Sequence, residues 1–296
     1  MDRLSAMETF VCVVESGSFS AAARRLNIGQ PAVSKAIAQL EEYLGIQLLL
    51  RSTRGLMPTE AGQGYYEGAL RAISETNQAE LDARGASSGL TGRLKICAAV
   101  TFARIHIIPH IDRFLAQNPG LTIDIVLDDR NIDLLENGID VALRMGTLSD
   151  STMTAKKLAQ SQRVVLATPA YFALRGEPAT PEDLAAHEAV VYGRAGGGAV
   201  WSFRQDDAEV AIAVGGRIKV SAGEGVRAAV LANMGLAIAS RWMFAPELAN
   251  GSVREVLTEW RLDPIDLWAV YPAGRKASAK ARAFTAFVES IMADSH

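Results

Sequence analysis

Two local patterns could bring reactive side chains together. His106 and His110 are four residues apart, so on a helix both rings would lie on one face and could hold a metal ion. No cysteine or carboxylate completes that local motif, which favours an ordinary pair of helix-surface side chains. The glycine-rich segment at residues 193–201 lacks the Gly-Lys-Ser/Thr of a phosphate-binding loop. We therefore predict no catalytic residue, no metal, no cofactor and no enzymatic activity.

A different chemistry is indicated by the segment GQPAVSKAIAQLEEYLG, residues 29–45. At helical spacing it has one apolar face and an opposite face of small or hydrogen-bonding groups. The apolar face comprises Val33, Ile37, Leu40 and Leu44, and the opposite face Gln30, Ala32, Ser34, Lys35, Ala38 and Gln39. A helix in the major groove of DNA needs such a slender face, with donors and acceptors for base edges. The alternative is an ordinary surface helix.

The elements before this helix favour the DNA interpretation. Ser5 and Glu8 form a capping box for a first helix, which Gly17 ends. Ser18 caps a second, alanine-rich helix over residues 19–26. A tight turn then leads into the third helix, which gives the order of a helix-turn-helix.

A hairpin is predicted after the third helix. A strand at residues 46–50, a turn at residues 51–55 and an extended run before Pro58 would form it. Residues 18–54 contain five basic and two acidic side chains, a local excess of +3. Phosphates would be held by the N-terminus of the third helix and by the hairpin arginines. The predicted DNA-contacting residues are Arg24, Gln30, Pro31, Ser34, Lys35, Arg51 and Arg54.

Residues 10–62 carry a specific resemblance. They contain F-x-x-V-x-E-x-G-S-F-S-x-A-A-x-x-L, then Q-P-A-V-S-x-x-I-x-x-L-E-x-x-L-G, then L-L-x-R-x-x-R-G-x-x-P-T-x-A-G. This unbroken spacing resembles the N-terminal domain of LysR-type transcriptional regulators. One departure is Gly29, where family members usually have a serine; glycine is an acceptable N-cap but supplies no hydroxyl.

The resemblance implies binding to double-stranded promoter DNA of partial dyad symmetry, together with RNA polymerase as a partner. Thr59 caps a further predicted helix over residues 60–84, which has an interrupted apolar stripe. The stripe comprises Tyr65, Tyr66, Ala69, Leu70, Ile73 and Leu81. The resemblance implies antiparallel pairing of this helix with a second subunit, in a dimer or a tetramer; packing on its own chain is the alternative.

The rest of the chain alternates strands and helices. The first set has strands near residues 94–100, 121–127 and 139–143 and helices near 107–115 and 132–138, an order typical of α/β sheets. A second set follows, and a strand at 267–271 and a helix at 278–292 end the chain. This half resembles the family's regulatory domain, which is similar in fold to periplasmic binding proteins.

The predicted fold class is therefore α+β multidomain, with a winged helix-turn-helix, a long linker helix and a two-subdomain α/β effector domain. The predicted segments are 1–58 for the DNA-binding domain, 59–90 for the linker helix and hinge, 91–161 with 267–296 for the first regulatory subdomain, and 162–266 for the second.

Ligands of α/β domains lie at the carboxyl ends of strands, near helix N-termini. By resemblance, a hydroxyl at the position of Thr101 holds a ligand carboxylate. The predicted effector-binding residues are Thr101, Phe102, Asp128, Asp129, Ser221, Gly223 and Glu224. We expect a small organic anion, although Glu224 would repel it unless its carboxylate points away, so a cationic or neutral effector stays open.

Composition limits the other possibilities. The chain has 296 residues and a net charge of −3, so a nucleic-acid site must be local rather than global. Cys12 and Cys97 lie in apolar surroundings, which favours buried thiols in a reducing compartment over a disulfide.

Neither a signal peptide nor a membrane span is recognisable, so we predict a cytoplasmic protein. The alternative function is a small-molecule binding protein whose N-terminal module mediates protein interaction.

Overall fold

The computed structural model describes residues 2–52, 55–84, 89–148, 153–193, 199–273 and 277–294. Two compact units follow one another along the chain, Met1–Gly92 and Arg93–His296. Each unit has a hydrophobic core of its own. In the described residues, no helix combines the length and the apolar character needed to cross a bilayer.

The first unit is a winged helix-turn-helix followed by a long helix. In chain order it contains α1 (Arg3–Ser16), α2 (Phe19–Leu26), α3 (Gln30–Leu44), β1 (Leu49–Ser52), β2 (Gly55–Pro58) and α4 (Glu60–Arg84). The two strands pair antiparallel, with Leu50 opposite Met57. The fold predicted for this part of the chain is therefore confirmed.

The ends of α1 follow from local hydrogen bonding. The carboxylate of Asp2 caps the helix, since its Oδ1 accepts from the backbone N–H groups of Leu4 and Ser5 at 3.1 and 3.5 Å. The predicted capping box of Ser5 and Glu8 is therefore wrong, because the helix begins before Ser5. Gly17 ends α1 as predicted, in the left-handed conformation with φ +63°.

The orientation of α3 is fixed by its apolar face. Val33, Ile37 and Leu40 are buried, and they pack in one cluster with Phe10 of α1 and Leu48 before the hairpin. The opposite face is therefore turned to solvent. This confirms the predicted division of the helix into an anchoring face and an exposed face.

The hairpin begins later than predicted. Residues 46–48 are irregular because the Glu41 carboxylate accepts from the backbone N–H groups of Leu48 and Leu49, at 2.7 and 3.1 Å. One of the two acidic side chains near α3 is thus used to fix the start of β1. Arg51 lies in β1, whereas Arg54, at the predicted tip, lies outside the described residues.

A close backbone approach joins the hairpin to α4. Thr59 donates from its backbone N–H to the Leu48 carbonyl oxygen at 2.9 Å, and its hydroxyl accepts from the N–H of Gly62 at 2.8 Å. A Cβ atom at Gly62 would lie 1.9 Å from that same carbonyl oxygen, so only glycine fits there. By contrast, a Cβ atom at Gly64 would meet nothing within 4 Å.

Part of the α4 stripe is used within the chain. The Tyr65 ring packs edge-on against Phe10 at a centroid distance of 5.4 Å, and Ala69 is buried. Tyr66 is partly buried in the same cluster. The prediction that Tyr66 serves a second subunit is thus weakened by this contact with its own chain, while Leu70 and Ile73 remain only partly buried.

The first lobe of the second unit is built on one sheet. Within the described residues, the strand order is β4 (Gly120–Leu127), β3 (Thr91–Ala98), β5 (Val141–Met145), β14 (Ile265–Tyr271) and β6 (Thr154–Ser161). Strand β14 is antiparallel to β5 and β6, so the chain returns to this lobe near its end. The C-terminal helix α10 (Ala279–Asp294) contributes buried side chains to the same lobe.

The connection before β5 is not helical. The predicted short helix at 132–138 is wrong, because Asp133 Oδ1 accepts from the backbone N–H groups of Leu135 and Glu136 and folds the segment into turns. Residues 100–117 do form a helical run, of α5 (Val100–Phe102), a π-helical turn, a 3₁₀ turn containing Pro109, and α6 (Ile111–Gln117). Proline lacks the N–H that a regular α-helix requires, which accounts for the irregular turns.

The second lobe comprises the elements between β6 and β14. These are β7 (Arg163–Ala167), α7 (Pro169–Arg175), β8 (Val190–Tyr192), β9 (Ala199–Gln205), β10 (Ala208–Val214), β11 (Ile218–Val220), α8 (Gly223–Leu231), β12 (Ala237–Ser240), α9 (Ala245–Asn250) and β13 (Arg254–Val256). In the described residues, β7 is the central strand of a three-stranded sheet with β12 and β13.

We predict that Gly62→Ala destabilises the first unit by about 1–3 kcal/mol, because the new methyl group would overlap the Leu48 carbonyl oxygen. Gly64→Ala is the matched control and should stabilise the same helix by roughly 0.4–1 kcal/mol. Urea unfolding followed by circular dichroism measures both effects.

All four tryptophans, Trp201, Trp242, Trp260 and Trp268, lie in the second unit. Tryptophan fluorescence should therefore show an unchanged transition for both variants. Equal stability of the Gly62→Ala and Gly64→Ala proteins would contradict the close approach.

Candidate functional site

The exposed face of α3 is the candidate DNA-contacting surface. Gln30, Pro31 and Lys35 are exposed and Ser34 is half-buried. The carbonyl oxygen of the Gln30 side chain accepts from the Ser20 hydroxyl at 3.1 Å, which holds the side chain at the start of the helix. Its amide N–H groups are the donors that a purine N7 or O6 requires.

The two arginines of α2 differ in their environment. Arg24 is exposed in the last turn of the helix. Arg25 forms an ion pair with Glu15 at 2.7 Å, and the hydrogen bond to this carboxylate raises the pKa of Arg25 above its ordinary value. Of the two, Arg24 is thus the cation available for a phosphate.

A cleft of about 420 Å³ lies between the two lobes of the second unit. Its apolar lining includes Phe102, Leu143, Val191, Trp201, Trp242 and Ile265. Its charged lining includes Asp128, Asp129, Arg130, Arg144, Arg163 and Asp263. An apolar cleft with a few convergent polar groups is the usual form of a small-molecule site.

Another surface depression, of about 560 Å³, lies on the second lobe and is lined in part by Arg241 and Arg254. It is more open than the cleft. Arg241 pairs with Glu255, and Arg254 pairs with Glu177. Because both cations already have partners and the walls are shallow, we regard the cleft between the lobes as the better candidate site.

The Asp129 carboxylate joins the two lobes. Its Oδ1 accepts from the backbone N–H of Val100 at 3.0 Å, and its Oδ2 accepts from the backbone N–H of Gly223 at 3.1 Å. These N–H groups stand at the starts of α5 and α8, where the helix ends favour negative charge. The backbone donors expected to serve a ligand anion are thus already bonded to a carboxylate of the protein.

The residues that follow these two donors meet between the lobes, beside the cleft. The Thr101 hydroxyl donates to Glu224 Oε2 at 2.9 Å, and Arg104 donates to both oxygens of Glu224 at 3.1 and 3.3 Å. Gly223 packs closely against this contact, since a Cβ atom there would lie 3.2 Å from the Thr101 Oγ1. Glu224 therefore faces Thr101 and does not point away from it.

A second carboxylate–arginine pair lies behind this contact. Arg227, only 5% exposed, forms a bidentate ion pair with Glu247. Burial alone would raise the pKa of Glu247, but the adjacent Arg227 guanidinium holds it below its ordinary value. Arg227 also lies 5.2 Å from the centre of the Phe244 ring.

The predicted effector residues are brought together only in part. Thr101, Phe102, Asp128, Asp129 and Gly223 line the cleft. Glu224 contacts Thr101 beside it, whereas Ser221 is exposed and is not part of the lining.

Sequence reasoning missed Arg163, Trp201 and Trp242, which line the cleft from the second lobe. Each lies on a strand or turn whose local pattern carries no functional signal. Arg163 is the first residue of β7, and its Nε donates to the carbonyl oxygen of Asp263. Arg130 pairs with Asp128 at 2.8 Å.

His106 does not form a metal site with His110, and the expectation that both are helix-surface side chains is wrong for His106. It is buried, its Nε2 lies 2.9 Å from the Trp242 carbonyl oxygen, and its ring packs 5.2 Å from that of Phe102. His110 is exposed, so the two rings do not share a surface. Among the described residues, no group of three potential metal ligands occurs. Burial lowers the pKa of His106 below its ordinary value, against the opposing effect of the hydrogen bond.

The fold and these sites define a class of protein, a transcriptional regulator with a DNA-binding helix-turn-helix and an effector-binding domain. Residues 4–63 match the family model described as bacterial regulatory helix-turn-helix protein, lysR family, and residues 87–293 match the LysR substrate binding domain. The chain belongs to the LysR family of transcriptional regulators.

Individual relatives agree along nearly the whole chain. The regulator PtxR of Pseudomonas aeruginosa is 33% identical over 98% of this chain and 92% of that protein. An HTH-type transcriptional regulator of Haemophilus influenzae is 31% identical over 95% of this chain and 97% of its own length. The solved structure of CrgA, a LysR-type regulator from Neisseria meningitidis, is 30% identical, covers 98% of both chains and superposes with a TM-score of 0.61.

We predict that His106→Gln flattens the pH dependence of stability of the second unit. Because the folded pKa of His106 is depressed, the unfolded chain takes up a proton that the folded chain does not as the pH falls through about 6.5. Wild-type stability should therefore fall between about pH 7.5 and 5.5, and the variant should lose less. Thermal unfolding monitored by tryptophan fluorescence measures this, with His110→Gln as the exposed control. An unchanged slope in His106→Gln would show that the buried imidazole does not contribute.

Proposed function

We propose that this regulator binds a specific DNA sequence through α3 and responds to a small organic anion held in the cleft of the second unit. The observation that carries the proposal is the division of α3 into a buried apolar face and an exposed hydrogen-bonding face. A helix divided in this way can enter the major groove while it stays anchored to its own domain.

DNA recognition separates into base contacts and phosphate contacts. Gln30 and Lys35 are exposed at the start and middle of α3, and we assign base-edge contacts to them, with Ser34 beside them. Phosphates are assigned to the N-terminus of α3 around Pro31, to Arg24, to Arg51 of β1, and to Arg54. Phosphate contacts supply affinity that falls with salt, and base contacts supply specificity.

The lining of the cleft supports an anion with an apolar body. Trp201 and Trp242 provide aromatic walls, and Arg144 and Arg163 bring positive charge into the cleft. Arg144 donates to the carbonyl oxygen of Ile132, while in the described part of the chain the terminal nitrogens of Arg163 have no protein partner. A guanidinium whose terminal N–H groups have no protein partner can donate them to a carboxylate.

We also infer a homodimer, or a tetramer built from two dimers, in the cytoplasm, acting at promoters together with RNA polymerase. The partly buried Leu70 and Ile73 of α4 are the part of the apolar stripe left for a second subunit. Two-fold symmetry in the protein would match partial dyad symmetry in the DNA. Light scattering at micromolar concentration tests this, and a monomer would contradict it.

We predict that Gln30→Ala lowers discrimination by roughly 1–3 kcal/mol at one base position. The binding site is first selected from a random DNA library with the wild-type protein, and single-base variants are then titrated by fluorescence anisotropy. Gln63→Ala, the same change at an exposed position of α4, is the matched control and should leave discrimination unchanged. If both variants read the selected site like wild type, α3 does not present Gln30 to a base.

We predict that small carboxylates with apolar bodies raise the melting temperature of the second unit, whereas the corresponding neutral amides do not. Arg163→Met should weaken the effect, because one of the cations that line the cleft is removed. Arg175→Met, at an exposed position of α7, should retain it. Stabilisation by amides or amines instead of carboxylates would show that the effector is not an anion.

A further inference from the structure

The Glu224 carboxylate has the contacts that a bound carboxylate ligand would have. It accepts a hydrogen bond from the Thr101 hydroxyl at 2.9 Å and another from the Arg104 guanidinium at 3.1 Å. Both donors belong to the first lobe. Hydroxyl and guanidinium donors of this kind are the usual partners of a carboxylate. Glu224 itself comes from α8 in the second lobe, so its contacts with Thr101 and Arg104 join the two lobes beside the cleft.

A second partner for Glu224 lies on its own helix. The Nε of Arg227 is buried, and in the described part of the chain it has no hydrogen-bond acceptor. Glu224 Oε1 lies 3.8 Å from this nitrogen, just beyond hydrogen-bond distance. A buried donor without an acceptor is unfavourable, so a small rotation of Glu224 toward Arg227 would satisfy it.

We propose that Glu224 is an internal stand-in for the effector's carboxylate, and that the effector displaces it from Thr101 and Arg104 onto Arg227. This proposal rests on the proposed function, in which the cleft binds an organic anion. Displacement exchanges one carboxylate for another at the same donors, so the charge at Thr101 and Arg104 is unchanged. The contact between the lobes that Glu224 makes is replaced by a contact through the ligand.

The burial of the two ion pairs explains why Glu224 exchanges and Glu247 does not. The Glu224 and Arg104 side chains are each 47% exposed, and pairs this exposed contribute little to stability. The Arg227 and Glu247 side chains are 5% and 14% exposed, and breaking that pair would leave a buried charge. The Arg227 side chain therefore keeps its position, and the Glu224 carboxylate moves between Arg227 and its partners on the first lobe.

Two arrangements of one side chain that differ little in free energy form a switch that a ligand can bias. The ligand shifts the balance because it binds only the arrangement in which Glu224 has left Thr101. The carboxylate of Asp129 still joins Val100 and Gly223 in both arrangements, so the lobes stay together while the contact beside the cleft changes.

The test is chemical rescue in the full-length protein, with acetate as the probe. Glu224→Ala removes the internal carboxylate and leaves Thr101 and Arg104 without it. Acetate at up to about 100 mM, with ionic strength held constant by chloride, should raise the melting temperature of the variant's second unit by about 2–4 °C more than that of wild type. Acetamide should have no such effect.

Two further variants make this result specific. Adding Thr101→Val to Glu224→Ala should abolish the effect of acetate, because a donor of the site is lost. Glu177→Ala removes a carboxylate from an exposed ion pair elsewhere on the second lobe and should respond to acetate like wild type. Equal responses of wild type and Glu224→Ala overturn the proposal.

The second position of Glu224 is tested without a ligand. In Thr101→Val with Arg104→Gln, Glu224 loses its partners on the first lobe and should bond to Arg227. Exchange of the Arg227 Nε proton with solvent, followed by nitrogen-15 NMR, should then slow at least several-fold. Unchanged exchange overturns this part of the proposal.

These experiments distinguish an error in the role of Glu224 from an error in the proposed class of effector. One outcome is that acetate does not stabilise Glu224→Ala more than wild type while larger carboxylates still raise the melting temperature of wild type. In that case the cleft binds anions and only the role of Glu224 is wrong. If acetate rescues Glu224→Ala but no larger carboxylate stabilises wild type, the carboxylate position is real and the effector class is wrong.

Discussion

The hydrogen bonds of Asp129 set the geometry on which the cleft of the second unit depends. One carboxylate accepts from the first N–H of α5 and the first N–H of α8, and so holds two helix starts from different lobes side by side. Thr101 and Glu224 are the next residues along each helix. The Thr101 Oγ1 is therefore brought to 2.9 Å from the Glu224 Oε2. Negative charge is favourable at a helix N-terminus, and here a single charge serves two.

The first unit relies on a comparable backbone constraint. The Leu48 carbonyl oxygen accepts from Thr59, and Gly62 passes so close to it that no side chain fits. This contact, together with the Glu41 carboxylate that accepts from the N–H groups of Leu48 and Leu49 at the start of β1, ties the hairpin to both α3 and α4. The exposed face of α3 is thereby held at a fixed position relative to the hairpin, as recognition of adjacent bases and phosphates requires.

Much of the first unit could be predicted from sequence because its signals are local. Gly17, Ser18 and Gly45 act within a few residues of their position, and each acts as expected. The cleft could be predicted only in outline. The two sides of the Asp129 and Thr101 contacts are separated by 94 and 123 residues, and no local pattern reports which side chains meet over such distances. The same reason explains why Arg163, Trp201 and Trp242 were missed.

The most direct test is amide hydrogen exchange in the full-length protein, measured with fragmentation to single residues. If Asp129 joins the lobes, the amides of Val100 and Gly223 are both protected in wild type, and Asp129→Ala should accelerate exchange at both of them together. The Leu143 amide, within β5, should serve as an unaffected reference. Accelerated exchange at Val100 alone, with Gly223 unchanged, would contradict the bridge between the lobes and the cleft geometry that follows from it.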